Sequence, residues 1–193
     1  MRIINVKRAM ILLLMIGLIA GVSGCARWPE PEPEPPGTEY QLEIKVEVAG
    51  EINPDNGIYY IGLDTDGQTG TGPGENVDDW EGVFYYIKLD FVGCYLHSDD
   101  GESEKDLDFS YDESNKLEIT VNLSDLGNPE SSIDINVVTT DSKGNTTYDY
   151  LNDYFNILTT IYATGEGFSS NDLEDDEADF DIVKVEALIT TLH

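Results

Sequence analysis

From residue 39 onward, apolar and polar residues alternate along the chain with a period of two. The clearest example is a run of four apolar residues separated by charged ones, Leu42, Ile44, Val46 and Val48. This pattern is typical of a strand with one buried and one solvated face. Eight further strands are predicted, at residues 58–63, 83–89, 91–97, 107–111, 117–123, 133–139, 156–162 and 182–190. No segment shows the apolar stripe of a sustained helix.

Turn-forming residues separate most of the predicted strands. They are clustered at residues 53–57, 99–101, 112–115 and 141–145. About nine short strands predict an all-β domain, an antiparallel two-sheet sandwich with immunoglobulin-like or jelly-roll topology. We expect the last strand to pair inside a sheet, so its deletion should unfold the domain.

The first 24 residues have a different pattern. Arg2, Lys7 and Arg8 precede an apolar run at residues 9–22, and Ser23 and Gly24 follow it. A run of 14 residues is shorter than the roughly 20 that a helix needs to cross a bilayer. The layout therefore predicts a cleaved secretory signal at residues 1–24.

The sequence Val22-Ser23-Gly24-Cys25 resembles the lipobox of bacterial lipoproteins. The resemblance implies cleavage before Cys25, a diacylglycerol on its sulfur and a further acyl chain, such as palmitate, on its new amine. Two or more chains anchor a protein stably where one does not. The implied location is the cell membrane or the outer membrane, facing the periplasm or the exterior. The alternative is an ordinary secreted protein with an incidental cysteine.

Residues 25–38 are predicted to form a lipidated cysteine followed by a tether. Their repeated Pro-Glu pairs favour an extended polyproline II conformation, which at about 3.1 Å per residue spans ~40 Å. The β-sandwich domain is then expected to occupy residues 39–193.

The chain is strongly acidic. It has 10 basic and 39 acidic residues, a formal charge of −29, which becomes −32 once residues 1–24 are removed. An anionic surface of this kind repels phosphate backbones, so nucleic acid is excluded as a partner. Two cysteines cannot form a multi-bridge scaffold.

Candidate metal ligands lie in a glycine-rich loop at residues 64–80. It contains four glycines and five carboxylates, Asp64, Asp66, Glu75, Asp78 and Asp79. Crowded oxygen ligands on a flexible bend favour a structural Ca2+ ion, which takes six to eight oxygens. An EF-hand is rejected because Thr69 occupies the position of its required glycine and a strand precedes the loop. The alternative is a tight turn in which the aspartates accept hydrogen bonds from their own backbone.

Two other groups of polar residues have weaker interpretations. The acidic run at residues 172–181 is typical of a solvated loop, although it could supply further ligands if the fold brought it beside Asp64. Cys94 and His97 have a zinc-like spacing, but residues three apart on a strand point to opposite faces. A buried free thiol and a surface histidine are expected instead.

Aromatic residues indicate a candidate sugar-binding surface. The pairs Tyr59-Tyr60 and Tyr85-Tyr86 should each send one ring to the core and one to the surface. Exposed rings at Tyr60, Tyr85 and Trp80 could form a flat platform for sugars. The alternative is that these rings fill the sandwich core.

Residues 58–67, the glycine-rich loop and residues 79–89 together look like DOMON-type sandwiches and family-nine carbohydrate-binding modules. The resemblance implies a sandwich that binds sugar or haem, with structural calcium at Asp64, Asp66 and either Asp78 or Asp79. Haem binding is disfavoured. Haem iron needs axial ligands such as histidine or methionine, and the chain beyond residue 24 has two histidines and no methionine.

The sequence as a whole predicts a lipid-anchored binding module of the cell envelope that binds carbohydrate and carries structural calcium. The first alternative is an adhesion domain that contacts another envelope protein through its loops or an unpaired sheet edge. A glycan-acting hydrolase comes last. Paired carboxylates are abundant by chance, and no nucleophile elbow or metalloprotease motif is present. No catalytic residue is therefore predicted.

Overall fold

The structure, a computed structural model, describes residues 39–68, 70–101, 103–111, 115–170 and 177–192. The predicted signal, Cys25 and the predicted tether lie outside these ranges, and so do residues 172–176, the first half of the second acidic run. None of the described residues forms a helix long and apolar enough to cross a membrane.

The described residues form twelve strands. They are β1 (Tyr40–Val48), β2 (Gly57–Asp64), β3 (Tyr85–Asp90), β4 (Gly93–His97), β5 (Glu104–Asp106), β6 (Phe109–Ser110), β7 (Lys116–Asn122), β8 (Ser132–Asp141), β9 (Thr147–Tyr150), β10 (Phe155–Leu158), β11 (Thr164–Gly167) and β12 (Ile182–Thr191). Three short 3₁₀ turns also occur, at Val77–Asp79, Leu123–Leu126 and Ala178–Phe180.

The strands form two antiparallel sheets, which confirms the predicted sandwich. A five-stranded sheet has the order β11-β12-β1-β7-β6, and a seven-stranded sheet has the order β10-β8-β2-β3-β4-β5, with β9 also paired to β8. The expected number of about nine strands is wrong, because β5, β9 and β11 were not predicted. These three strands are short, and their pattern of exposure gives little apolar alternation to detect.

The core lies between the two sheets and is built from the inward side of each strand. All four apolar residues of the first predicted strand are buried, and β1 pairs with β12 on one side and β7 on the other. In the opposing sheet the buried residues include Tyr59, Ile61 and Leu63 of β2. Alternation along β1 and β2 thus predicted which side chains fill the core.

The two ends of the sandwich carry different features. At the near end lie Tyr40, where the described chain enters β1, and Asp64, where β2 ends. At the far end lie Gly57, where β2 begins, and the Phe91–Val92 turn between β3 and β4. Tyr59 of β2 pairs with Leu89 of β3, close to this turn, so the start of β2 and the turn lie at the same end of the sheet. The eight residues of β2 separate the two ends by about 23–26 Å, at ~3.3 Å per residue.

The sheet edges are short or covered. On one side β5 is three exposed charged residues long and β6 is two residues long. On the other side β10 meets β11, where the Phe155 ring packs against Gly165 and Gly167. Such edges offer little backbone for pairing with another chain. This geometry argues against adhesion through an unpaired edge.

Candidate functional site

The loop between β2 and β3 covers part of the outer face of the seven-stranded sheet, the face turned away from the core. It comprises residues 65–84, of which Thr69 is not described. The Asn136 side-chain amide donates a hydrogen bond of 2.8 Å to the Pro73 carbonyl. A Cβ atom added to Gly62 would lie 2.7 Å from Pro73 Cβ and 3.1 Å from Trp80 Cε3. Gly62 is therefore required by the close approach of the loop.

Trp80 is the largest side chain of this loop, and its ring is buried, not exposed as expected. Its exposed fraction is 1%, and its indole N–H donates a hydrogen bond of 3.2 Å to the Gly74 carbonyl. Tryptophan buries a large apolar area, and the ring here closes over Gly62 instead of facing solvent. Trp80 consequently cannot form part of an open sugar platform in this structure.

Two buried carboxylates lie opposite each other beneath the start of this loop. Asp64 of β2 pairs with Asp134 of β8, and their exposed fractions are 4% and 6%. The Asp66 backbone N–H donates to Asp64 Oδ1 at 3.0 Å, and the Asn156 amide donates to Asp134 Oδ1 at 2.6 Å. Asp64 Oδ2 is buried and has no hydrogen-bond partner among the described residues.

The surroundings of Asp64 disfavour its charged form. Burial raises the pKa of its carboxyl, and the charges of Asp66 and Asp134 add to this effect, whereas the hydrogen bond from the Asp66 N–H opposes it. A cavity of about 170 Å³ reaches Asp64 from the β3 side, and Asp66, Thr71 and Asp99 contribute to its lining. The cavity can hold several water molecules.

The five carboxylates predicted as calcium ligands do not form one cluster. Asp66 accepts hydrogen bonds from Gln68, at 2.6 Å from its N–H and 2.9 Å from its side-chain amide. Of the others, Asp79 accepts a hydrogen bond of 2.9 Å from the Asn76 amide, and Glu75 interacts with the Tyr150 hydroxyl.

Asp78, like Glu75 and Asp79, is exposed, and Asp64 is the only buried member of the predicted set. Within the described ranges, no three His, Cys, Asp or Glu side chains converge as a metal centre. The expected convergence is wrong because the loop spreads its acids across the surface while folding over Gly62. The prediction also missed Asp134, which is distant from the loop in sequence.

The described part of the second acidic run lies at the far end and not beside Asp64. Asp179 accepts hydrogen bonds of 2.9 Å from both the Asn53 amide and the Glu51 backbone N–H, next to the start of β2. Residues 177–181 therefore cannot supply ligands at the near end. Residues 172–176 lie outside the described ranges.

Aromatic side chains form a surface on the strip of the outer face that the loop leaves open. We call Tyr60, Tyr86, Tyr95 and His97 the aromatic face. All four are half-buried and lie on the neighbouring strands β2, β3 and β4. The Tyr86 and His97 rings are stacked with centroids 4.4 Å apart, and the Tyr60 and Tyr86 centroids are 6.5 Å apart.

The geometry of this stack determines what it presents to solvent. The Tyr86 and His97 rings are within 7° of parallel, and their separation is close to the spacing of neighbouring strands, about 4.8 Å. Their faces are thus turned toward the adjoining strands, and their edges point outward. Burial raises the pKa of Tyr60 and of Tyr86, so both hydroxyls stay protonated at neutral pH.

The remaining sequence predictions near this sheet have mixed outcomes. Tyr59 is buried and Tyr60 lies on the outer face, as alternation predicted, whereas Tyr85 packs against the core at the near end and does not join the aromatic face. Cys94 is a buried free thiol, as expected, and burial raises its pKa to about 12. His97 lies on the opposite side of β4, so the two residues do not form a zinc pair.

No protein family, curated protein or solved structure matches this chain. The resemblances to lipoproteins and to DOMON-type and family-nine modules therefore remain predictions that rest on the residues quoted for them.

Proposed function

We propose that this protein is a lipid-anchored binding module of the cell envelope that recognises carbohydrate with its aromatic face. The proposal combines the signal and lipobox of the sequence with the surface of the sandwich. The observation that carries the ligand class is the row of partly exposed rings on three neighbouring strands, beside the region that Trp80 covers.

The position where the described chain enters the sandwich supports display from a membrane. Tyr40 lies at the near end, so a tether from Cys25 joins the domain there. The outer face and the far end are then free of that attachment. A sequence rich in proline and glutamate favours an extended conformation, and its negative charge would be repelled by an anionic membrane surface.

The chemistry of the aromatic face suits sugar hydroxyls more than a stacked sugar ring. Its ring edges point outward, and phenolic hydroxyls both donate and accept hydrogen bonds. Lys88 lies on the same face, between Tyr60 and Tyr95 in the strand register, and forms an ion pair of 2.8 Å with Asp90. A polar rim on an aromatic base is typical of small-ligand surfaces.

Affinity electrophoresis in gels containing soluble polysaccharides tests the ligand class. We expect one or more polysaccharides to retard the protein, and Tyr86→Ala to weaken retardation by about tenfold or more, as for a central contact residue. Tyr162→Ala is the matched control, because Tyr162 is 73% exposed and lies away from the aromatic face, on a segment bonded to β12. Carbohydrate binding would be refuted if both variants lost retardation equally, or if no polysaccharide retarded the wild-type protein.

Cell fractionation tests the anchor separately. The wild-type protein should partition with membranes, and Cys25→Ser should release it, because the acylated sulfur is lost. A variant that stays fully membrane-bound would contradict lipid anchoring, whatever the domain binds.

A protein partner is the second candidate, and one observation favours it. Phe91 and Val92 form the turn at the far end and are 71% and 61% exposed. Exposed apolar residues on a turn are candidates for contact with a partner. Loss of a co-purifying envelope protein on Phe91→Ser, with polysaccharide retardation absent in the wild type, would favour adhesion over sugar binding.

A further inference from the structure

The hairpin between β8 and β9 contains an acceptor triplet for N-linked oligosaccharide. Asn145 is followed by Thr146 and Thr147, and an asparagine two residues before a serine or threonine is the acceptor for such a glycan in exported proteins. The chain has one other triplet of this kind, which begins at Asn122. Such triplets also arise by chance, so the structure around each asparagine has to distinguish them.

The hairpin turn exposes the two groups that a glycosyltransferase must reach. Asn145 and Thr147 are both exposed, so the side-chain amide and the hydroxyl of the triplet are accessible together. Among the described residues, no hydrogen bond engages the Asn145 side chain, whereas its backbone N–H donates at 2.8 Å to Asp141 Oδ1. The reactive amide is therefore accessible on a backbone that is held in place.

Further hydrogen bonds hold the turn in shape. Asp141 Oδ1 also accepts a hydrogen bond of 3.1 Å from the Lys143 N–H, and the Asp141 backbone N–H donates at 2.9 Å to the Thr146 carbonyl. Gly144 has a φ of +72°, in the left-handed region that glycine adopts without strain. The turn follows β8, so it presents Asn145 at the far end, away from the point where the described chain enters β1.

Asn122 begins the same kind of triplet in a less accessible place. It is the last residue of β7, is half-buried and pairs with Gln41 of β1. To enter the active site of a transferase, this segment would first have to leave the sheet by local unfolding. Of the two triplets, the folded domain therefore offers the one that begins at Asn145.

We infer that Asn145 is the attachment site of an N-linked oligosaccharide. The inference rests on the proposed export to the cell envelope, because acceptor triplets of this kind are used in exported proteins. It goes beyond the proposed function, because it concerns a sugar that the chain carries and not one that it binds.

The attachment reaction balances without a redox step. The side-chain nitrogen of Asn145 forms a bond to C1 of the first sugar, and the bond between that carbon and the phosphate of a lipid-linked oligosaccharide breaks. The leaving phosphate takes the electron pair, and the amide nitrogen loses one proton to a base of the transferase. The co-reactants are thus a lipid-linked glycosyl phosphate and a membrane glycosyltransferase.

Peptide mass spectrometry of the full chain, purified from the cells that make it, tests the inference. We expect the peptide that contains Asn145 to carry an added oligosaccharide, with fragmentation placing the first sugar on Asn145, and the peptide that contains Asn122 to be unmodified. Thr147→Ala should abolish the added mass, whereas Thr147→Ser should retain it, because serine keeps the hydroxyl of the triplet. Asn122→Gln is the matched control and should keep the full glycan.

Several results would overturn the inference. They are an unmodified Asn145 in the wild type, a glycan on Asn122 instead, sugar on the hydroxyl of Thr146 or Thr147, and equal glycan occupancy in Thr147→Ala and Thr147→Ser. The same digest reports the amino terminus of the chain. An acylated Cys25 together with an unmodified Asn145 would contradict only the glycan, and a glycosylated Asn145 on a chain without acyl groups would contradict only the lipid anchor.

Discussion

Replacing Trp80 with alanine is the sharpest test of how the loop is held on the sheet. The indole is 1% exposed, contacts the position of Gly62 and donates one hydrogen bond to the Gly74 carbonyl. Trp80→Ala removes this cover and leaves a cavity between the loop and the outer face. The sequence interpretation, with Trp80 as an exposed ligand contact, predicts no such structural loss.

The magnitude follows from the buried area. An aromatic side chain buries about 150–250 Å², which at ~25 cal/mol per Å² corresponds to about 4–6 kcal/mol. Measured losses for Trp→Ala in protein interiors are about 3–5 kcal/mol. The loss here cannot exceed the free energy that closes the loop, because beyond that point the loop opens locally while the sandwich stays folded. We therefore expect about 3 kcal/mol, at the lower end of the range.

Urea denaturation followed by far-ultraviolet circular dichroism measures this loss. In thermal unfolding, a decrease of about 3 kcal/mol in the free energy of unfolding should lower Tm by roughly 6–12 °C in a domain of this size. The exposed Tyr162 provides the control, and Tyr162→Ala should change the free energy of unfolding by less than about 0.5 kcal/mol. A Trp80→Ala protein as stable as the wild type would show that the indole is not buried and would refute the described loop packing.

Three further predictions concern the sandwich itself. Deleting residues 182–193 should prevent folding, because β12 lies between β11 and β1, and circular dichroism should show loss of strand signal; a folded deletion protein would contradict the topology. Asp149→Ala should reduce the free energy of unfolding by at least about 3 kcal/mol, because this fully buried carboxylate accepts hydrogen bonds of 2.8 Å from the Ile182 N–H and from the Ser169 hydroxyl; urea denaturation should show a clearly smaller loss for Asp149→Asn, which keeps one acceptor oxygen. Burial lowers the pKa of His97 despite the nearby charges of Glu104, Glu81 and Asp90, with Lys88 adding to the decrease. Its contribution to stability is therefore present above the unfolded-state pKa of about 6.5 and lost as pH falls through the lower folded-state value. Between pH 7.5 and 5.5, Tm should fall further in the wild type than in His97→Gln, and equal decreases would contradict this assignment.

Alternation was sufficient to predict the strands that fill the core. β1, β7 and β12 bury one face and expose the other to solvent, so the alternation of apolar and polar residues in their sequences shows which side chains face the core. β11 has the sequence Thr-Gly-Glu-Gly and joins the sheet through its backbone, and its glycines are needed where the Phe155 ring packs closely. A strand of this kind leaves no hydrophobic period in the sequence.

The loop packing left one detectable signal in the sequence. Gly62 stands between Ile61 and Leu63 in the middle of a strand, where a glycine indicates the close approach of another group. The identity of that group, Trp80, was not predictable from the glycine alone. A loop rich in glycine and aspartate has no regular alternation of apolar and polar residues, so its sequence does not show whether an aromatic side chain in it is buried or exposed.

Asp134 illustrates a more general limit of the sequence. Alternation along β8 places it on the outer face, which predicts solvent exposure. It is nevertheless buried, and its carboxylate accepts a hydrogen bond from Asn156 of the neighbouring strand β10, while a loop some sixty residues earlier in the chain bonds to Asn136 on the same face. The facing of Asp64 and Asp134 depends on strand order, and strand order is set by packing between distant segments that no local pattern encodes.

The proposed attachment of the β-sandwich domain to a membrane depends on acylation of Cys25. Intact mass spectrometry of the protein purified from cells measures this modification. We expect a chain that begins at Cys25 and carries the added mass of a diacylglycerol and a further acyl chain. A chain that retains residues 1–24, or one that begins at Cys25 without acyl groups, would contradict it.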